Sequence, residues 1–138
     1  MTLYFVPTPI GNLADITYRA IEVLSKSDYI LCEDTRHSLR LLKHYDIQKP
    51  LKSYHKFNES KVLDRILDDL KSGLQISLIS DAGTPGIADP GAILLKACVE
   101  RGLEVISLPG PCAVVTALSA SGLDTERFQF VGFLPKKK

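Results

Sequence analysis

The sequence predicts an α/β protein: a mostly parallel sheet with helices on both faces. Short apolar runs of strand length alternate with amphipathic stretches of helical period along all 138 residues. Such alternation marks a parallel sheet, because each parallel connection must cross back over one face and leave a helix there. Composition agrees: 45% hydrophobic and 24% charged residues suit a chain that buries a core, and the length is that of one domain.

Taken in order, LYFVP from Leu3 is an apolar and aromatic run ended by proline, which reads as a buried strand. Turn-rich TPIGNLA follows, and Asp15 can N-cap a helix whose apolar Ile16, Ala20, Val23 and Leu24 recur at helical spacing through about Lys26. DYILCED is the second strand, Thr35 a second cap, and RHSLRLLKHY a second helix closing near Asp46. LKSY is a weak third strand. From Ser60 a helix places Val62, Leu63, Ile66, Leu67 and Leu70 on one face and stops at Gly73. QISLIS, the loop SDAGTPGIADPG, the helix GAILLKACVER capped by Gly102, and the strand LEVISL come next. The loop LPGPCA leads into a small-residue helix, CAVVTALSAS, ended by Gly122, and FQFVGF reads as a last strand.

Charge and cysteine content narrow the function. With 17 basic and 16 acidic residues the net charge is +1, which makes no case for a dedicated nucleic-acid module. Cys32, Cys98 and Cys112 are odd in number and lack CxxC spacing, so neither a disulfide framework nor a metal site is expected, and a reducing cytoplasm fits. The chain opens on no signal-peptide pattern and holds no membrane-length apolar run.

In an open α/β sheet, ligands bind where the carboxyl ends of strands pass into loops. Three such loops here are dense in glycine and proline: PTPIGN, SDAGTPGIADPG and LPGPCA. Glycine and proline fix unusual backbone paths and let a ligand approach main-chain N–H and C=O groups. One such loop is an ordinary tight connection; three on one sheet edge point to a site. There is no GxGxxG after the first strand and no GxxxxGK[ST], which argues against Rossmann dinucleotide binding and P-loop hydrolysis. A fourth loop, CEDTRHS, crowds Glu33, Asp34, Arg36 and His37 together, either as general base and substrate clamp or with Asp34 or Thr35 merely capping the helix.

In this order and spacing VPTPIGNLADIT, CEDTRHS, SDAGTPGIADPG, LPGPCAVVTALSASGL and FVGFLPKKK closely resemble the tetrapyrrole methylase superfamily, and within it the branch that methylates small-subunit ribosomal RNA. The resemblance implies S-adenosylmethionine as cofactor and methyl transfer to the 2′-hydroxyl of a cytidine ribose in 16S rRNA. It also implies a homodimer and a second α/β domain after the FLP segment. On that reading residues 1–138 are an N-terminal domain, with about 131–138 starting the linker, and the domain is inactive by itself. The implied cofactor contacts are Pro9 and Ile10 in the first loop, Asp81, Gly83, Thr84 and Ile87 in the second, and Cys112 and Ala113 in the third. Where the superfamily often has Gly-Asp-Pro this chain has Gly83-Thr84-Pro85, which leaves Asp81 as the nearest acid. Cys112 has no neighbouring base and reads as pocket wall.

A ribose hydroxyl is a poor nucleophile, so a proton acceptor should assist it; Glu33, Asp34 and His37 are the candidates, with Arg36 a phosphate clamp. Lys136, Lys137 and Lys138 are either phosphate contacts or solvated linker. Two alternatives stay open, a methylase of tetrapyrrole-type small molecules and a non-catalytic nucleotide-binding module.

Overall fold

The structure, a computed structural model, describes residues 1–137, so Lys138 of the terminal lysine triplet lies outside the described residues. Five strands form one sheet: β1 (Thr2–Phe5), β2 (Tyr29–Cys32), β3 (Leu51–Ser53), β4 (Gln75–Leu78) and β5 (Glu104–Ser107). Their order is β3-β2-β4-β1-β5, and every pairing is parallel. The helices α1 (Tyr18–Lys26), α2 (Thr35–His44), α3 (Glu59–Lys71) and α4 (Ala92–Glu100) lie in the crossovers, and α5 (Ala113–Ala120) follows β5.

Strand alternation divides the core between the two faces. Leu3 and Phe5, Tyr29 and Leu31, and Ile76 and Leu78 point to the face covered by α3 and α4, where Ile66, Leu67, Leu70, Leu94 and Cys98 meet them. Val6, Ile30, Cys32 and Ile79 point to the other face, against Ala20, Val23 and Leu24 of α1 and Leu42 of α2. The central strands are thus apolar on both sides, as the continuous runs in the sequence require. Ser77, the polar exception in β4, lies 2.6 Å from the Ser27 hydroxyl, which donates to the Val23 carbonyl, so the buried pair is satisfied.

Three sequence expectations need correcting. Thr17, not Asp15, caps α1, its hydroxyl accepting from the Ala20 N–H at 2.9 Å, because Asn12 first caps a short 3-10 turn over Leu13–Asp15. Asp34, not Thr35, caps α2. FQFVGF is not a strand: residues 128–133 join no ladder, and Phe128, Phe130 and Phe133 are exposed. Strand propensity is realised only when a neighbour takes the backbone hydrogen bonds, and none of the described residues pairs with this segment. Helix α5 forms as expected but buries none of its residues.

Two glycines separate backbone strain from crowding. Gly102, beyond the end of α4, has φ 66 and open space where a Cβ would sit; Gly86 has φ 86, and its Cβ would lie 2.9 Å from Cε2 of the buried Phe5 ring. Gly102→Ala should therefore cost about 1 kcal/mol from the left-handed conformation alone. Gly86→Ala should cost a further ~1–3 kcal/mol for the overlap, read as a difference in urea midpoint at constant slope. Equal losses at the two positions would refute the packing of Phe5 on this loop.

Candidate functional site

The strand order brings the predicted loops together. β2, β4, β1 and β5 are consecutive neighbours, so CEDTRHS, SDAGTPGIADPG, PTPIGN and LPGPCA leave the sheet side by side from its carboxyl edge. The ladder continues into them: Val6 N–H donates to Leu78 O, Ile79 N–H to Leu31 O, and Leu108 N–H to Phe5 O, each at 2.9 Å.

The first and second loops are welded by a two-way backbone exchange. Thr8 N–H donates to Gly83 O and Gly83 N–H to Thr8 O, both at 3.0 Å, in an antiparallel bridge across otherwise parallel strands. Fully buried Thr8 also donates its hydroxyl to Ser80 O at 3.3 Å, and the Ser80 hydroxyl lies within reach of the Ala82 and Gly83 carbonyls. The third loop packs on both. Thr84 donates its hydroxyl to Pro111 O at 3.4 Å. A Cβ on Gly83 would lie 3.4 Å from Ile10 Cγ2 and 3.7 Å from Pro111 O, while one on Gly110 would fall 2.6 Å from Pro7 Cβ. Ile10, Gly83, Thr84 and Pro111 therefore meet in one notch, where backbone carbonyls and an aliphatic side chain are the exposed chemistry.

The cofactor residues implied by resemblance surround this notch without sharing one cavity. Ile10 lines a cleft of about 350 Å³ with Gly110, Pro111 and Thr116. Thr84 and Ile87 line a groove of about 580 Å³ with Phe5, Leu95, Val99 and Val105, beside the free edge of β5. Pro9 and Asp81 line a third cavity of about 370 Å³. Cys112 is half-buried at the start of α5, makes no side-chain cap, and leaves the first N–H groups of that helix, from Ala113 on, without a side-chain acceptor. Burial pushes the thiols of Cys32 and Cys98 up, consistent with packing roles.

The four catalytic candidates are adjacent in sequence yet face different surroundings. Asp34 accepts from the N–H groups of Arg36 at 2.9 Å and His37 at 3.2 Å, so one of its oxygens starts α2. His37 enters the Pro9–Asp81 cavity, where its Nε2 lies 2.9 Å from the carbonyl oxygen of Asp81. Only a protonated Nε2 can bond that carbonyl, and in the neutral ring this leaves Nδ1 as the acceptor. Arg36 is exposed on α2. Glu33 lies on the other side of the edge, in a cavity of about 540 Å³ with His55, Phe57, Asp89 and Phe133. Burial first, then the charges of Asp81 and Asp89, hold its carboxyl above the usual range; Asp89 is raised by burial and then by Asp81.

Sequence reading missed several of these residues. Arg40 and His44 join His37 on the cavity wall, and their spacing of three and seven residues along a helix was the available signal. Thr8 and Ser80 sat inside quoted motifs, but nothing in a lone hydroxyl announces a buried lock. Asp89 was hidden by a turn at Ala88, whose φ of 54 no alanine advertises. Among the described residues, no cluster of His, Cys, Asp and Glu could hold a metal ion, and no helix is long and apolar enough to cross a membrane.

Comparison with known proteins fits this arrangement. Residues 2–137 match the family described as Tetrapyrrole (Corrin/Porphyrin) Methylases. Relatives named ribosomal RNA small subunit methyltransferase I include one from Vibrio cholerae, 55% identical over 98% of this chain and 47% of its own length. One from Buchnera aphidicola is 54% identical over 99% of this chain and 48% of its own length. The chain spans about half the length of these curated relatives. A crystal structure of diphthine synthase superposes with a TM-score of 0.72 at 16% identity, over 94% of this chain and 52% of that one, which establishes likeness of fold. With this fold, the loop-built edge and a family match along nearly the whole sequence, the chain belongs to the tetrapyrrole methylase family.

Proposed function

We propose that this chain is the cofactor-gripping half of an S-adenosylmethionine-dependent methyltransferase that methylates the 2′-hydroxyl of a cytidine ribose in 16S rRNA. The observation that carries the proposal is the convergence of three Pro/Gly loops in the Ile10–Gly83–Pro111 notch. The substrate assignment draws on the relatives' shared name and on the CEDTRHS and SDAGTPG motifs.

The residues present fit the cofactor. A sulfonium cation favours carbonyl oxygens and a carboxylate, and an adenosyl group wants apolar side chains with backbone partners; Pro111, Asp81, Ile10 and Ile87 are residues of those kinds, spread over the neighbouring clefts around the notch. The uncapped N-terminus of α5 offers donors to a carboxylate. S-Adenosylmethionine, when bound, supplies an electrophilic methyl group, so the protein's task is alignment and proton removal.

His37 is the proton acceptor in this reading. The Asp81 carbonyl fixes its tautomer, Asp34 holds its backbone at the helix start, and Nδ1 takes the hydroxyl proton. Asp34 and Asp81 are thus positioning residues. In this reading the part of the relatives beyond the matched region closes the clefts and covers α5, whose apolar residues are unburied, so residues 1–138 by themselves are inactive. Homodimer assembly and work in the cytoplasm belong to the same proposal, on the ground of resemblance.

Single-turnover methyl transfer to small ribosomal subunits tests this, using the chain alone and fused ahead of the second half of the Vibrio cholerae relative. The fusion should transfer methyl groups and the chain alone should not. In the fusion His37→Asn should lose about 100-fold or more in rate with cofactor binding kept; an unchanged rate would remove His37 as base and return the role to Glu33 or Asp34.

Calorimetric titration of the fusion with S-adenosylmethionine should give binding that Gly83→Ala weakens at least tenfold, since a side chain is strained at φ 78 and the loop must shift to relieve it in the notch beside Ile10. Preference for NAD or ATP would favour the nucleotide-binding alternative, and methylation of a tetrapyrrole would favour the small-molecule one.

Glu33 gives a pH test. Its folded pKa is raised above 4.5, so at neutral pH its charge destabilises the fold, and that cost fades as pH falls through the folded value toward 4.5. Glu33→Gln should raise the melting temperature at pH 7, with the gain vanishing near pH 4. A gain independent of pH would show that Glu33 is not held in its charged form against burial.

A further inference from the structure

We propose that the outward face of α2 is the track for the RNA backbone flanking the methylated nucleotide, with Arg36, Arg40 and Lys43 each meeting a phosphate. The inference rests on the RNA reading above and locates the RNA contact on this chain.

The helix is amphipathic in an unusual sense. Ser38 and Leu42 are its buried residues, and directly opposite them Arg36, Arg40 and Lys43 follow at i, i+4 and i+7, all exposed. From Thr35 to His44 there is no acidic residue. By contrast α3 mixes Glu59, Asp64, Asp68 and Asp69 with Lys61, Arg65 and Lys71. The near-zero net charge of the whole chain thus averages over faces of different sign, and an even composition does not exclude a cationic stripe.

The stripe is also unspent. Among the described residues the ion pairs within 4.0 Å are Glu22–Lys26 and Lys96–Glu100, so no carboxylate lies within that distance of an α2 base. The one nearby acid on the same element, Asp34, is engaged with backbone N–H groups. Three unpaired cations on a rigid helix, spread over about 10 Å, match a run of phosphates and not a single anion.

Position supplies the partner. The stripe begins at the carboxyl edge of the sheet and runs away from it, and Arg40 and His44 also form the wall of the cavity that holds His37. A strand whose ribose enters that cavity would lay its neighbouring phosphates on α2. Two guanidinium groups suit bidentate phosphate contact better than ammonium groups would.

Fluorescence anisotropy with labelled oligocytidylate, across a salt series, tests the inference on the 138-residue chain. Each lost phosphate contact on a single strand lowers the slope of log K against log salt by about 0.7. The triple variant R36Q/R40Q/K43Q should therefore lower the slope by about 2 and weaken binding at low salt. The matched α3 variant K61Q/R65Q/K71Q should leave the slope unchanged, and both should melt at the wild-type temperature, since all six side chains are exposed. If wild type binds with a salt slope that the α2 variant keeps, or that both variants lower equally, the track is overturned while the RNA reading stands. If neither the wild-type chain nor its fusion shows salt-dependent RNA binding, the RNA reading falls and the track with it.

Discussion

The two-way hydrogen-bond exchange between Thr8 and Gly83 is the constraint on which the site depends. Parallel strands diverge at their carboxyl ends, and loops leaving them have no built-in reason to touch. Here the chain after β1 doubles back to pair antiparallel with the chain after β4, and the pairing is buried. Gly83 has φ 78, which lets its N–H and C=O both face Thr8 while Thr84 beside it reaches Pro111. Each of these bonds contributes only about 0.5–1.5 kcal/mol net, but breaking one strands a buried donor or acceptor at greater cost. The lock thereby also fixes the Asp81 carbonyl two residues away, and through it the ring of His37.

Such a lock explains why glycine and proline dominate these loops. Gly110 lies where any side chain would collide with Pro7, and Gly91 where one would meet Leu78 at 3.0 Å. At these glycines the loops pack closely on their neighbours, although much of each loop is exposed. Their order comes from backbone fit, and it leaves main-chain carbonyls available at the rim without paying again to organise them when a ligand binds.

Much of the fold was legible, and the reasons it was legible also mark where reading stops. Strand and helix periods are local, so all five sheet strands and five helices could be read from residue spacing. FQFVGF has the same local signature, yet pairing is not local, and none of the described residues pairs with it. Caps failed by a residue or two because Asn12, Asp15 and Thr17 are all competent and only the path of the 3-10 turn chooses among them. At the site, loops could be assigned but side chains could not. Glu33 and His37 are four residues apart, and the end of a strand followed by the start of a helix sends them into separate cavities.

That separation gives the edge an electrical division. On one side Glu33 and Asp89 share a cavity with Asp81 near enough to raise both carboxyls, so negative charge is already crowded there. On the other, α2 presents cations without acids. A polyanion approaching this edge is repelled from the first region and drawn along the second. Under the proposed function, the cavity at the start of α2, walled by Thr8, Pro9, His37 and Asp81, would receive the sugar while the phosphates stay outside on the helix. A carboxylate base in that position would oppose the approach of the backbone it serves. A neutral imidazole, with one nitrogen held by a backbone carbonyl, would accept a proton without that penalty, and this is the electrostatic ground on which the proposal prefers His37 to its acidic neighbours.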